Sequence, residues 1–280
     1  MHRLSGSTGE QAMKGPTRVS IVRALAPLGL LFMGSWSVIV FTSGNARRFT
    51  LEQAWCRPSL GHILGCADGG IDVAKFVAFA IGYVLLLALS VAVIGAILGT
   101  VLGATAAFLG GAFEQVLLKA CDLVQSFPNF LLALAVLAAV EQPRRWHIGA
   151  VFVLTAWAGF ARLAAVQSRK LVIAEFVIAA RAFGASRSSI LRRHIVPHVL
   201  GPVAIQVGTV AAGVVIGESA LAFVGLGPAD GISLGVLIEQ GAVGMLRAPH
   251  VLIFSACAVA LASGACQLAA EGLRLWVRRS

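Results

Sequence analysis

Charge is scarce in this chain. Asp, Glu, Lys and Arg make up 12% of its 280 residues, about half the share of an ordinary soluble domain. No stretch of any size is polar enough to stand as a soluble domain of its own. Acidic residues are the scarcer sign, 12 against 22 basic ones, which leaves a formal charge of +10. The patterns H-E-x-x-H, G-x-S-x-G and the P-loop are all absent. Their absence excludes the zinc-protease, α/β-hydrolase and P-loop ATPase sites they mark. The five cysteines, Cys56, Cys66, Cys121, Cys257 and Cys266, form no C-x-x-C pair, so no zinc or dithiol site is indicated. His194 and His198 stand four apart, but Pro197 between them disfavours the regular helix a shared metal would need. The expectation is a chain that is not an enzyme, with no metal, no cofactor and no catalytic residue of its own.

Apolar residues fill the space that charge leaves. They make up 58% of the sequence, beside 31 glycines, and the mean hydropathy is +0.89. A spanning helix needs roughly 20 mostly apolar residues, and six windows qualify: about 24–41, 78–108, 123–140, a short one at 148–161, 199–225 and 250–270. Lipid offers the backbone no hydrogen-bond partner, so each is expected to be helical. The fold class is all-α and polytopic, with a tail at 1–23 and one membrane domain over 24–280. The first window reads as an uncleaved anchor, because its exit, FTSGNARRF, offers no clean A-x-A-like site. The second window exceeds one bilayer thickness and must tilt or protrude. Its Gly95, Gly99 and Gly103 recur every four residues, either as a close-packing face or because glycine is common in membrane helices.

Basic residues set the orientation. With the N-terminus in the cytoplasm, Arg47, Arg48, Arg57, Lys75, Arg144, Arg145 and Arg247 fall outside and the other 15 of 22 fall inside. The positive-inside rule therefore puts both termini in the cytoplasm. A basic face beside anionic lipid accounts for the net charge without any nucleic acid. Cys56 and Cys66 share the first outside loop, where a disulfide is permitted; they pair there or remain free thiols. Glu218 lies deep in the fifth window. A carboxylate at such a depth costs roughly 2.5–3.5 kcal/mol to insert. It is a pathway or gate residue, with Phe223 nearby, or a carboxyl that hydrogen-bonds a neighbouring helix.

One segment breaks the apolar pattern. "AARAFGASRSSILRRHIVPHVLGPV" (179–203) holds four arginines and two histidines. Phe176, Ala180 and Phe183 follow i, i+4, i+7, one face of a helix. Gly184 can end that helix in a left-handed conformation, and Ser186 can cap a second. Ile190, Leu191 and Ile195 continue an apolar face, Arg187, Arg192 and Arg193 a polar one, and Pro197 closes the unit. The result is a helix–turn–helix on the cytoplasmic side, suited to lipid headgroups or to a partner's groove.

The spacing of Ala179, Ala180, Gly184 and Pro197 resembles the EAA loop of ABC-importer permeases, and "ARAFGASRSSILRRHIVPHVL" resembles its peptide and nickel branch. "DLVQSFPNFLLALA" (122–135), "WAGFARLAAVQSRKLVIAEFVIAA" (157–180) and "ESALAFVGLG" (218–227) resemble further segments of the C-type permease of dipeptide, oligopeptide or nickel importers, and "LGCADGGIDV" (64–73) echoes its outer-loop motif L-G-T-D-x-x-G-R-D-V. Roughly 60–279 is covered, in the family's order.

The resemblance implies a type I permease fold in a bacterial inner membrane, with an EAA coupling loop at about 174–197. It implies a second homologous permease, two ATPase subunits that bind ATP and Mg, and an extracytoplasmic solute-binding protein. The coupling positions it implies are Ala179, Ala180, Gly184, Ala185, Ser186, Arg187, Ile190, His194 and Pro197. ATP-driven closure of the ATPases would move this loop and swing the spans between inward- and outward-facing states.

The chain also departs from the family pattern. Ile178 stands at the EAA glutamate position, Cys66, Ala67 and Ile71 replace T, D and R of the outer-loop motif, and S-W-G reads Ser233, Leu234, Gly235. Peptides are the expected cargo; nickel, glutathione or another small solute is the alternative. A secondary carrier would show inverted repeats, and no convincing repeat is present. An intramembrane enzyme would need a nucleophile and base beside Glu218.

Overall fold

The computed structural model of the protein describes residues 18–41 and 53–277. Helix α1 (Arg18–Phe41) begins before position 24; the first 17 residues of the expected tail lie outside the described part. Helix α2 (Val73–Leu109) has 37 residues, or ~55 Å at ~1.5 Å per residue, well beyond the ~30 Å of a hydrocarbon core. It starts where the Asp72 carboxylate accepts from the Lys75 backbone N–H. Its glycines are a packing face. A Cβ at Gly99 or Gly103 would overlap the backbone of Trp157 and Ala161, and one at Gly95 would sit 3.2 Å from Ala156 Cβ. Backbones so close have room for hydrogen at these positions and nothing larger.

The third expected span is not one helix. The chain forms α3 (Gly111–Ser126) and α4 (Asn129–Ala138), bent 75° from each other. Pro128 is the cause. Its ring disfavours the helical conformation one residue earlier, and Phe127 is extended, at φ −93° and ψ 136°. The fourth window was expected to be short but gives α5 (Arg145–Val172), 28 residues long. Charges at its far end conceal its length from hydropathy, and α3 neutralises two of them: Arg162 pairs with Asp122 and Arg169 with Glu114.

Two short helices follow, α6 (Glu175–Ala182) and α7 (Arg187–Ile190). A π-helical turn, Leu191–Ile195, then leads into α8 (Val196–Leu221). Pro197 therefore does not close the unit as expected. It sits at the start of α8, where a missing N–H is tolerated, and the wider turn satisfies the preceding bond from Val196 N–H to Leu191 C=O. Helix α9 (Leu234–Val243) was not foreseen, and α10 (Pro249–Val277) completes the fold.

Among the described residues four helical stretches are long and apolar enough to span: α2, α5, Arg187–Leu226 and Pro249–Leu275. The bent α3–α4 pair is a fifth if taken as one. Among the described residues no β-strand occurs beyond one isolated bridge between Cys66 and Asp72. The core has two main parts. One, at the disulfide end, includes Phe76, Leu85, Ile148, Leu221 and Leu234. The other gathers Phe160, Val177, Ile190, Ile195 and Val199 beneath α6 and α7.

Candidate functional site

Helix α6 ends at a Schellman turn. Gly184 N–H donates to Arg181 C=O and Ala185 N–H to Ala180 C=O, both at 3.0 Å. This 5→2 and 6→1 pair requires a left-handed residue at the corner, and Gly184 has φ +80°. Ser186 Oγ then accepts from Ser189 N–H at 3.3 Å and caps α7.

The unit has a seated side and a bare side. Val177 and Ile190 are buried against the membrane helices. Ile190, expected at the partner surface, instead anchors the loop at 1% exposure. Ala180, Ala185 and His194 are half-buried, while Ala179, Gly184, Ser186, Arg187 and Pro197 are exposed. The expected Phe176–Ala180–Phe183 face is split. The Phe176 ring stacks on His198 at 5.4 Å, and His198 Nδ1 lies 2.7 Å from the His194 carbonyl oxygen. Phe183 is 92% exposed. Arg181 lies over the Phe108 ring at 5.7 Å, tying α6 to the end of α2. With Val177 and Ile190 turned inward, Ile178, Ala179 and Phe183 form the unpaired apolar surface.

A groove runs along α4, α5 and α8. Its upper part, about 470 Å³, is lined by Phe130, Phe152, Ile216, Gly217 and their neighbours. Its continuation, about 350 Å³, adds Gln125, Gly159 and Gln206, and the two parts share Asn129, Thr155, Ala156 and Val210. Its polar side chains are amides and a hydroxyl, and among the described residues no charged one lines it. The sequence reading overlooked these positions, although Gln206, a lone amide in an apolar window, was a usable signal. Phe183, placed with Phe176 and Ala180 on one helix face, is not among the expected coupling positions.

Glu218 lies elsewhere on α8 and does not line the groove. It is 1% exposed and faces Ser233; its Oε2 has no partner among the described residues. Ser233 also accepts from Gly235 N–H at 3.1 Å and so caps α9. Gly235 sits where any Cβ would overlap the Ser219 carbonyl. Ser233, Leu234 and Gly235 thus seat α9 on α8 at the carboxyl, with Leu234 fully buried. Nearby, the Arg145 guanidinium grips Asp230 at 2.9 and 3.0 Å and the Ile232 carbonyl at 2.7 Å, and stacks on Tyr83. Phe223 is exposed in the π-helical turn after α8. Cys56 and Cys66 are joined by a disulfide.

Fold and site together define a class: a helical, polytopic membrane component with a short two-helix unit, bare on its outer side, at one end and an open groove along its flank. The model of binding-protein-dependent transport system inner membrane components matches residues 99–278, and the chain belongs to that family. It is 31% identical over 217 residues to the oligopeptide transport system permease protein OppC of Haemophilus influenzae, covering 76% of this chain and 68% of that one. It is 30% identical over 261 residues to a putative peptide transport system permease of Brucella suis, covering 92% and 85%. It is 27% identical over 259 residues to the glutathione transport system permease GsiD of Pectobacterium atrosepticum, covering 91% and 85%. The protein is a multi-pass permease subunit of an ABC importer in the bacterial inner membrane. The family is one of permeases rather than enzymes, and in general its members work with ATPase subunits, a solute-binding protein and a second permease.

Proposed function

We propose that this chain is one half of a peptide translocation pathway, with six spans and both termini in the cytoplasm. The organisation is a tail at 1–23 and one domain at 24–280. Helix α1 serves as the first span and the α3–α4 pair as the third. A homologous permease supplies the facing half, and an extracytoplasmic receptor delivers the solute. Two ATPases hold ATP and Mg, and one of them receives the loop at 174–197 through Ile178, Ala179, Phe183 and Arg187, with Gly184 and Ser186 setting its shape. Peptide cargo is supported by the names of the oligopeptide and peptide permeases among its relatives. Glutathione is a second reading, supported by the relative named for it. This half of the groove presents no charged lining residue to a peptide terminus, which supports leaving specificity to the receptor.

One observation carries the coupling assignment: α6–α7 is anchored on its inner side, bare on its outer side, and joined without a helix end to α8, which walls the groove. A displacement at the loop is therefore a displacement of the groove wall. In a strain whose own chromosomal copy is deleted, Phe183→Asp should reach the membrane, lose ATPase co-purification and abolish uptake of labelled peptides. Wild-type uptake by that variant would refute the docking assignment. Labelled glutathione entering where peptides do not would select the second reading.

A further inference from the structure

The loop between α1 and α2 brings together three residues that the linear pattern keeps apart. The sulfurs of Cys56 and Cys66 and a ring nitrogen of His62 all lie within 4.8 Å of one another. The sulfurs are joined as a disulfide. His62 is held at both ring nitrogens, Nδ1 at 2.9 Å from Asp72 Oδ2 and Nε2 at 3.1 Å from Gln53 Oε1. Whichever nitrogen takes a metal, the other keeps an oxygen partner. A ligating imidazole steadied by an acceptor on its second nitrogen is the usual support of a histidine metal ligand.

The backbone holds this arrangement independently of the sulfurs. Cys66 N–H donates to Cys56 C=O at 3.0 Å, and Gly65 N–H to His62 C=O at 2.9 Å. Trp55 is seated where a side chain at Gly244 would lie. The loop thereby covers the turn between α9 and α10.

We propose that this loop has two closed states: an oxidised one clasped by the disulfide, and a reduced one clasped by a single thiophilic divalent ion, Zn(II), on Cys56, Cys66 and His62. Asp72, Gln53 or water completes the fourth position. The interconversion balances. A dithiol reductant gives two electrons and two protons to the cystine and leaves as its own disulfide, while Cys56 and Cys66 become thiols. Zn(II) then displaces both thiol protons to solvent, and the two thiolates neutralise its charge. Tetrahedral ligands at about 2.3 Å place two sulfurs about 3.8 Å apart. Side-chain rotation reaches that separation while the backbone bonds stay in place. The expectation of no metal site rested on the missing C-x-x-C; here the turn at 59–62 supplies the proximity instead. This proposal does not depend on the transported solute.

The test uses the full chain in detergent, reduced anaerobically with a dithiol that is then removed, and titrated with Co(II) and then Zn(II). One Co(II) per chain should bind with thiolate-to-cobalt charge-transfer absorption, and Zn(II) should displace it. Cys56→Ser should abolish the band. Asp72→Asn and His62→Ala should weaken binding at least tenfold, with His62→Gln as a second variant if Ala impairs folding. Both His62 variants should still form the disulfide under oxidising conditions, seen as a mobility difference on reduction. The proposal is overturned if the disulfide of the folded chain resists excess dithiol, if reduced wild type binds Co(II) no better than Cys56→Ser, or if folded His62 variants bind like wild type.

Discussion

Gly184 offers a test in which backbone conformation can be separated from packing. It holds φ +80°, and a Cβ built there meets nothing within 4 Å. Substitution therefore strains the turn without any clash inside the chain. Placing an ordinary L-residue in the left-handed region costs roughly 1–2 kcal/mol. The chain can escape by unwinding the end of α6, but then the Gly184 and Ala185 capping bonds are lost at about 0.5–1.5 kcal/mol each. Both routes give about 1–3 kcal/mol, or roughly a 5- to 150-fold loss of the seated loop geometry. The fold should survive, because Val177 and Ile190 anchor the loop from below.

The assay is ATPase co-purification and transport-coupled ATP hydrolysis for Gly184→Asn, Gly184→Ala and Gly184→Val, at matched membrane levels. Asn visits the left-handed region readily and should stay close to wild type. Ala should be weaker, and Val, with its branched Cβ, weakest. Wild-type coupling by Val would refute the turn argument. Equal failure of Asn and Val would refute it differently, by showing that the partner needs the space a hydrogen leaves.

Three further expectations follow from the same geometry. Gly103→Leu should sharply lower yield and thermal stability, by about 1–3 kcal/mol or more, because the obstacle is the Ala161 backbone; Gly264→Ala, with open space around it, should change thermal stability by less than about 1 kcal/mol, and a stable Gly103→Leu protein would contradict the α2–α5 packing. Glu218→Gln keeps the size of this buried side chain and should assemble and take up solute nearly normally, whereas an assembled Gln variant with lost uptake would assign Glu218 to gating. Reporter fusions at residues 60 and 235 should read outside and those at 185 and 280 inside; an outside signal at 185 would overturn the proposed topology.

Much of this fold is legible in hydropathy because lipid imposes one solution, the helix, on each apolar run. What was misread follows from three local effects. The 75° break at Phe127–Pro128 lay inside an apolar window, where averaging hides a single proline. The true length of α5 was hidden by Arg162 and Arg169, whose partners, Asp122 and Glu114, are supplied by another helix. Helix α9, at ten residues, is too short for any span criterion and exists because Ser233 caps it and Gly235 lets it sit against α8. The turn between α6 and α7 was legible for the opposite reason: Gly184 and Ser186 act through local backbone bonds that spacing alone predicts.

Pro197 shows why the remaining error bears on mechanism. A proline is ordinarily a helix boundary, and a boundary here would have made the loop a hinge, free to move without moving the groove. The π-helical turn at Leu191–Ile195 removes that boundary by drawing the Val196 N–H to Leu191. The helical path then runs from Arg187 to Leu226, 40 residues, or ~60 Å at ~1.5 Å per residue. Val199 and Val203 fix its lower part to the core beneath the loop, and Val210, Gly213 and Gly217 line the groove higher up. A stiff element attached to both cannot move at one end alone. The proposed coupling would then need no chain of small side-chain shifts, only a tilt of this helix relative to α5. The close contact of Gly217 with the Phe152 ring is where that tilt would be felt first.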